Sequence, residues 1–220
     1  MGVTYYIKKT KNCNLSNKDI KTNFFNTYSF FGELSNTLNI NLKTHIIGNR
    51  KNYSVINSEH YIEFLKQIIK FLGYLSKIKG KILFINSHMT NTFDGIIKTI
   101  SLRSGESFYI GKWKSGILTK KIKKLPYKAI FLIDPNKNVF LKKEAQRMGI
   151  PIIGLCGTNS NTLELMFPIP LNNSNGASLI GICLLLSNCI LENKLTTYLK
   201  GQLLMPQLKK KLLRTSTNKH

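Results

Sequence analysis

Four short apolar runs limit what this chain can become: Lys81–Asn86 (KILFIN), Lys128–Ile133 (KAIFLI), Ile150–Leu155 (IPIIGL) and Leu165–Ile169. Each is apolar at nearly every position, so a strand made from it has to be covered on both faces. Between the runs the period changes to that of a helix. Tyr61, Leu65, Ile68, Ile69, Leu72 and Leu75 fall on one face of a helix expected over about Glu59–Lys77, with Ser58 as N-cap and Gly80 as its end. Further helices are expected at Thr92–Leu102, at Asn138–Met148 before Gly149, and at Ser178–Leu191. Tyr53–Asn57 and Ser107–Ile110 read as short strands, and Asp134-Pro135 ends the KAIFLI strand. Buried strands alternating with helices give a three-layer α/β domain: a parallel sheet with helices on both faces.

Charge decides the class of partner. Lys and Arg total 33 against 10 Asp and Glu, a net charge of +23. Such an excess repels itself in a compact state unless a polyanion neutralises it. Nucleic acid is the first candidate and an anionic membrane surface the second. Of the cations 29 are Lys and four are Arg. Lys acts on phosphate as a point charge, whereas Arg reads guanine edges, so the ratio favours backbone contact over base readout. Two tracts carry no acid. Between Glu106 and Asp134 stand Lys112, Lys114, Lys120, Lys121, Lys123, Lys124 and Lys128; after Glu192 stand Lys194, Lys200, Lys209, Lys210, Lys211, Arg214 and Lys219.

The candidate nucleic-acid contacts are Lys112, Trp113, Lys114, Lys120, Lys121, Lys123, Lys124, Lys209, Lys210, Lys211 and Arg214 in these tracts, together with Arg50 and Lys51. Trp113, the only tryptophan, either stacks on an exposed base or anchors its loop to the core. Residues 1–40 read as an N-terminal extension whose aromatic cluster (Phe24, Phe25, Tyr28, Phe30, Phe31) could dock a short helix; residues 41–192 are the α/β core and 193–220 a basic tail. In that tail Leu203, Leu204, Leu208, Leu212 and Leu213 suggest a short helix that orders against a partner.

Catalytic and cofactor chemistry finds no parts here. Gly105–Lys112 (GESFYIGK) has five residues between its glycines instead of four, and Trp113 stands where a phosphate loop needs Ser or Thr. Ser87, His88 and Asp134 end strands, where such residues serve as turn formers, and no G-x-S-x-G elbow precedes them. His45, His60, His88 and His220 show no metal-ligand spacing. Cys13, Cys156, Cys183 and Cys189 form no C-x-x-C pair and read as buried free thiols. No catalytic residue, metal or cofactor is expected. The N-terminus has no apolar stretch of a secretory signal, and the longest apolar run, Leu179–Leu191, is too short to span a bilayer, so no membrane span is expected.

From Lys112 onward the chain resembles a known family. Lys112–Thr119 (KWKSGILT) is similar to the R-W-L-G-G-x-L-T-N block of the second small-subunit ribosomal protein. Leu125-Pro126 followed by Ala129–Asp134 resembles that family's L-P-D-A-L-F-V-I-D strand. Glu144-Ala145, Gly149-Ile150-Pro151, Thr158-Asn159 and Ile169-Pro170 match further blocks in order, and upstream Gly80–Asn86 resembles G-K-I-L-F-V-G. The chain departs from the pattern at His45–Arg50, at Gly157, where the family has Asp, and at Asn172–Asn175. Only Lys120 to Lys124 stand where the bacterial form carries a long helical hairpin, so that insert is expected to be absent.

The resemblance implies a flavodoxin-like (Rossmann-like) sheet, no enzymatic activity, and a structural role in the small ribosomal subunit. Its implied partners are small-subunit ribosomal RNA and other small-subunit ribosomal proteins. Lys, Ile and Asn make up 79 of the 220 residues, a bias that looks like an AT-rich coding genome. With the missing hairpin this points to a mitochondrial ribosome, the alternative being another organelle or the cytoplasm. Two other functions stay open. One is an α/β enzyme acting on a phosphorylated or nucleic-acid substrate, which labelled-nucleotide binding would reveal. The other is a peripheral membrane protein held by its tail, which high-salt sedimentation with ribosomal subunits would exclude.

Overall fold

In the computed structural model of the protein, structure is described for residues 30–34, 38–86, 93–119, 127–172 and 175–217, with side chains as far as residue 199. The elements run β1 (Phe31–Leu34), β2 (Ile46–Arg50), β3 (Tyr53–Ile56), α1 (Ser58–Lys77), β4 (Lys81–Asn86), α2 (Asp94–Ser104), β5 (Ser107–Ile110), β6 (Tyr127–Ile133), α3 (Val139–Arg147), β7 (Ile152–Cys156), β8 (Phe167–Pro170) and α4 (Gly176–Thr217).

The apolar runs become the interior of one parallel sheet, ordered β5-β4-β6-β7-β8. Counted from β4 this is the flavodoxin-like order 2-1-3-4-5, as the run pattern and the resemblance led us to expect. Successive residues of β4 and β6 point to opposite faces. Ile82, Phe84, Ala129, Phe131 and Ile133 join a cluster with α1, α2 and α4; Leu83, Ile85, Ile130 and Leu132 join a second with Leu141 and Ala145 of α3, Trp113 and Leu118. Phe84 and Phe131 are direct neighbours across β4 and β6, their ring centroids 5.1 Å apart. Each large apolar side chain buried this way contributes about 1.5–3 kcal/mol.

At the start of α1 the cap is Asn57, not Ser58. Asn57 keeps extended backbone angles and its side chain accepts the Glu59 N–H at 3.0 Å, while Ser58 is already in the first turn. Ahead of α1 lies a second, antiparallel sheet, ordered β1-β3-β2. Only β3 was expected from the sequence. Lys51 (φ 47) and Asn52 (φ 67) form a two-residue turn that pairs Arg50 with Tyr53, the left-handed pair that suits the twist of a hairpin. Phe30 lies in a turn and Phe31 begins a strand, neither in a short docked helix, while Phe24, Phe25 and Tyr28 of the same cluster lie outside the described residues.

β1 docks on the loop after β7. The Glu33 N–H donates to Thr158 Oγ1 (3.0 Å), Ser54 Oγ donates to the Glu33 carbonyl (3.0 Å), and the Asn39 N–H donates to the Thr158 carbonyl (2.9 Å). The approach is close enough to need glycine. A Cβ on Gly32 would stand 2.3 Å from Ser54 Oγ and 2.4 Å from Thr158 Cγ2.

α4 is far longer than the run Ser178–Leu191 suggested, because no residue between Leu191 and Thr217 ends it. By length and hydropathy alone Gly176–Leu199 could cross a bilayer, being longer than the apolar run Leu179–Leu191 on which the expectation of no span rested. It is instead the core helix of the domain: Leu179, Ile182, Cys183, Leu186, Cys189 and Ile190 are buried against the sheet, α1 and α2. Cys156, Cys183 and Cys189 are buried free thiols, with burial pushing Cys183 up to about 12 and Cys156 well above the usual thiol range. Cys13 lies outside the described residues.

One ion pair ties the layers together. Glu106, its side chain 1% exposed, accepts the Ile82 N–H (2.7 Å) at the start of β4 and faces Lys194 Nζ of α4 at 2.5 Å. Lys194 also donates to the carbonyls of Ser104 (2.9 Å) and Gly105 (3.3 Å), the end of α2. Lys194→Met keeps the aliphatic stem but leaves a buried carboxylate and a helix end without their cation. The expected loss is about 1–3 kcal/mol, read from the denaturant midpoint; an unchanged midpoint would show that the pair holds nothing together.

Candidate nucleic-acid interface

Ten acids against 33 cations make the position of each acid informative. Several are used inside the fold. Glu106 holds β4 and Lys194, Glu164 pairs with the buried Lys142 (3.0 Å), and Asp134 pairs with Lys137 (3.2 Å). Glu144 of α3 is 7% exposed, and its carboxylate accepts the backbone N–H groups of Gly116 and Leu118.

That last contact builds the first basic surface. After β5 the chain crosses the face of the sheet that α3 covers, as the segment Gly111–Thr119, and three anchors hold it there. Trp113 is 8% exposed and packs edge-on against Tyr109, centroids 4.9 Å apart. Leu118 is buried in the same cluster, and Glu144 grips the turn between them. Tyr109 Oη donates to the Lys112 carbonyl at 3.0 Å. Lys112 and Lys114 flank the buried tryptophan and are both exposed. Of the two readings of Trp113 the structure places it as the anchor: a covered ring has no face to offer a base, and its burial turns the neighbouring lysines outward.

The second surface is the tip of the β2–β3 hairpin, where Arg50 and Lys51 are exposed. The remaining expected contacts are not placed. Lys120, Lys121, Lys123 and Lys124 lie outside the described residues, and so do the side chains of Lys209, Lys210, Lys211 and Arg214, whose backbone continues α4.

The carboxyl edge of a parallel sheet is where nucleotides bind in enzymes of this architecture. Here that edge is acidic and partly filled. Beyond β4, Asn86 Nδ2 donates to Asp94 Oδ1 (2.6 Å); Asp134 follows β6 in a left-handed conformation (φ 54); Glu33 reaches the end of β7 from β1. Burial pushes the Glu33 carboxyl above the usual range and the Asp134 charge adds to this, while the Asn159 N–H works the other way. Among the described residues, a phosphate at this edge would meet the carboxyl groups of Asp94, Asp134 and Glu33, with Lys137 beside Asp134. Ser87 and His88 lie outside the described residues. Ser107–Ile110, the middle of the apparent phosphate loop, is an edge strand of the sheet.

Sequence reasoning missed the role of Glu144 and a third acid-free tract. Between Glu63 and Asp94 stand Lys66, Lys70, Lys77, Lys79 and Lys81 with no Asp or Glu, the same signal that marked the other two.

Comparison with known proteins gives one consistent family. The sequence model described as Ribosomal protein S2 matches in two segments, residues 25–125 and 119–193. The small ribosomal subunit protein uS2 of Ehrlichia chaffeensis is 25% identical over 210 aligned residues, covering 74% of this chain and 72% of the relative. Its namesake from a Psychrobacter species is 23% identical over 191 residues, covering 65% and 72%. That of Acinetobacter baylyi is 24% identical over 191 residues, covering 65% and 76%.

Because Trp113 is the only tryptophan, its emission reports on this surface directly. Glu144→Ala removes the acceptor that holds the turn, so the emission should shift to longer wavelength while far-ultraviolet dichroism stays that of the native fold. Unshifted emission would mean that Glu144 does not hold the loop.

Proposed function

The chain belongs to the ribosomal protein S2 family, and on that premise we propose that it binds ribosomal RNA within the small subunit of a mitochondrial ribosome, through exposed lysines on loops held by buried acids. It is a structural constituent of the small ribosomal subunit and not an enzyme. The observation that carries the RNA-binding reading is the anchored loop: Trp113, Leu118 and Glu144 fix the backbone from inside, and Lys112 and Lys114 stand outside it. Point charges on a rigid loop fit a phosphate backbone and carry no base readout, in keeping with 29 lysines to four arginines.

Arg50 and Lys51 at the hairpin tip are part of the same reading; Lys120, Lys121, Lys123 and Lys124 are assigned to it from the sequence, with Lys209, Lys210, Lys211 and Arg214 along the continuation of α4. Residues 41–192 form the core in this reading and 193–220 the basic tail, although Lys194 takes part in the packing of the core. Neighbouring small-subunit proteins are the other contacts.

Two features support a mitochondrial setting, although the relatives named above are bacterial. One is the share of Lys, Ile and Asn, 79 of 220 residues. The other is the short link Lys120–Lys124, in place of the helical hairpin that the resemblance leads one to expect of a bacterial form. The two matched segments of the family also meet there, at residues 119–125.

The test is the salt dependence of binding to small-subunit RNA. Replacing Lys112, Lys114, Lys120 and Lys121 together by Ala should lower the slope of log affinity against log salt by roughly 0.7–0.9 for each lost contact. Truncation after residue 199, which spares Lys194, should lower it further. A slope that both changes leave intact would show that these residues do not touch phosphate.

A further inference from the structure

Helices and strands of this sheet run in opposite directions, so the ends of α1, α2 and α3 gather at its amino edge. Each has a basic residue in its last turn: Lys77, Arg103 and Arg147. One cation per helix end is what the helix dipole favours. At α1 the charge goes further. Lys79 and Lys81 follow within four residues of Lys77 and are exposed, as is Lys128 at the neighbouring start of β6. Lys128 lays its stem over Gly80, where a Cβ would stand 3.0 Å from its Cγ. Of the nearby acids, Glu106 is buried and committed to Lys194, while Glu192 stands exposed on α4 next to Leu191.

The three helices end in the same way. The Gly80 N–H bonds back to the Leu75 carbonyl (3.0 Å), Glu106 to Ser101 (2.8 Å) and Ile150 to Ala145 (2.9 Å). The motif needs a left-handed residue, which is Gly105 at α2 and Gly149 at α3 but Lys79 (φ 53) at α1. Glycine takes that conformation without penalty and lysine does not. The α1 corner thus carries a cation at the position where the other two helices carry glycine.

Between the corner and α4 lies a groove of about 730 Å³, lined among others by Lys77, Lys79, Lys81, Leu195 and Tyr198. Tyr198 is 64% exposed and Leu195 46% exposed. An aromatic and an aliphatic side chain beside a cationic rim is the arrangement that takes single-stranded nucleic acid: phosphates on the lysines, a base on the ring. Among the described residues, the carboxyl edge of the same sheet offers no such surface.

We propose that the amino edge of the sheet is a separate RNA-contact surface for a single-stranded or looped segment, with phosphates on Lys77, Lys79 and Lys81 and an unstacked base against Tyr198 and Leu195. It rests on the reading of the chain as RNA-bound and uses none of the residues assigned to RNA above.

The test uses the full chain with a single-stranded RNA oligonucleotide and an RNA duplex of equal length, titrated at several salt concentrations. A K77Q/K79G/K81Q variant, in which the glycine also suits the left-handed position, should lower the single-strand slope by about 2, or roughly 0.7 per lost contact. Tyr198→Ala should weaken single-strand binding on the order of tenfold and leave duplex binding alone, while Tyr198→Phe keeps it. If the triple variant keeps the full slope while Lys112→Ala/Lys114→Ala loses part of it, this surface is wrong and the RNA-binding reading stands. A native chain with no salt-dependent RNA binding overturns both. An acidic peptide that displaces the oligonucleotide from the native chain but not from the triple variant, and binds more tightly than RNA, would overturn the choice of partner.

Discussion

Side by side in the middle of the sheet, β4 and β6 bury every residue from Ile82 to Asn86 and from Ala129 to Ile133. Two adjacent strands covered on both faces leave almost no interior place for charge, since a buried ion has to be paired. A chain with 33 cations and ten acids built on such a sheet has to place nearly all its cations outside. The acids are then too few to balance the surface, and several serve the interior. Glu106 joins β4 to α4, Glu144 joins α3 to the loop after β5, and Glu164 satisfies the buried Lys142. The basic exterior thus follows from the two-sided core together with the composition.

That division of labour links the fold to the function. A loop held by a carboxylate on its inner side presents lysines on its outer side, the arrangement on which the proposed phosphate contacts rest. The sheet polarises charge as well. Asp94, Asp134 and Glu33 lie toward its carboxyl edge, while Lys77, Lys79, Lys81 and Lys128 lie toward its amino edge. In a nucleotide-binding enzyme of this architecture the carboxyl edge would receive the ligand. Here β1 docks there through Gly32, Glu33 and Thr158. Membership of a ribosomal protein family and this reversal of edge charge agree: the sheet is a scaffold for contacts around it and not a site for chemistry at its mouth.

Much of the fold was legible because two-sided strands announce themselves as unbroken apolar runs. KILFIN and KAIFLI became β4 and β6 within a residue of the expected ends. β1 and β2 were not legible, because FGEL and IIGNR are mixed in polarity and β1 depends on partners as distant as Thr158. Asn57 displaced Ser58 as cap because either residue can cap, and only the backbone angles decide. α4 was underestimated because its apolar character fades after Glu192 while its helical course does not. For the interface, exposed lysines in acid-free tracts were readable at Lys112 and Lys114. Trp113 was not, since a tryptophan between lysines looks alike whether it faces a base or a core. The amino-edge lysines come from α1, the turn after it, β4 and β6, and only the fold brings them together.

The proposed setting of this basic scaffold, as a stoichiometric part of a mitochondrial small ribosomal subunit, can be tested on isolated particles. Small subunits isolated through a high-salt gradient from mitochondria, and separately from the cytoplasm, can be quantified by mass spectrometry. One copy of this chain per mitochondrial small subunit is expected, retained at a salt concentration that strips loosely bound basic proteins. Recovery of the chain free of particles, or only with cytoplasmic subunits, would contradict it.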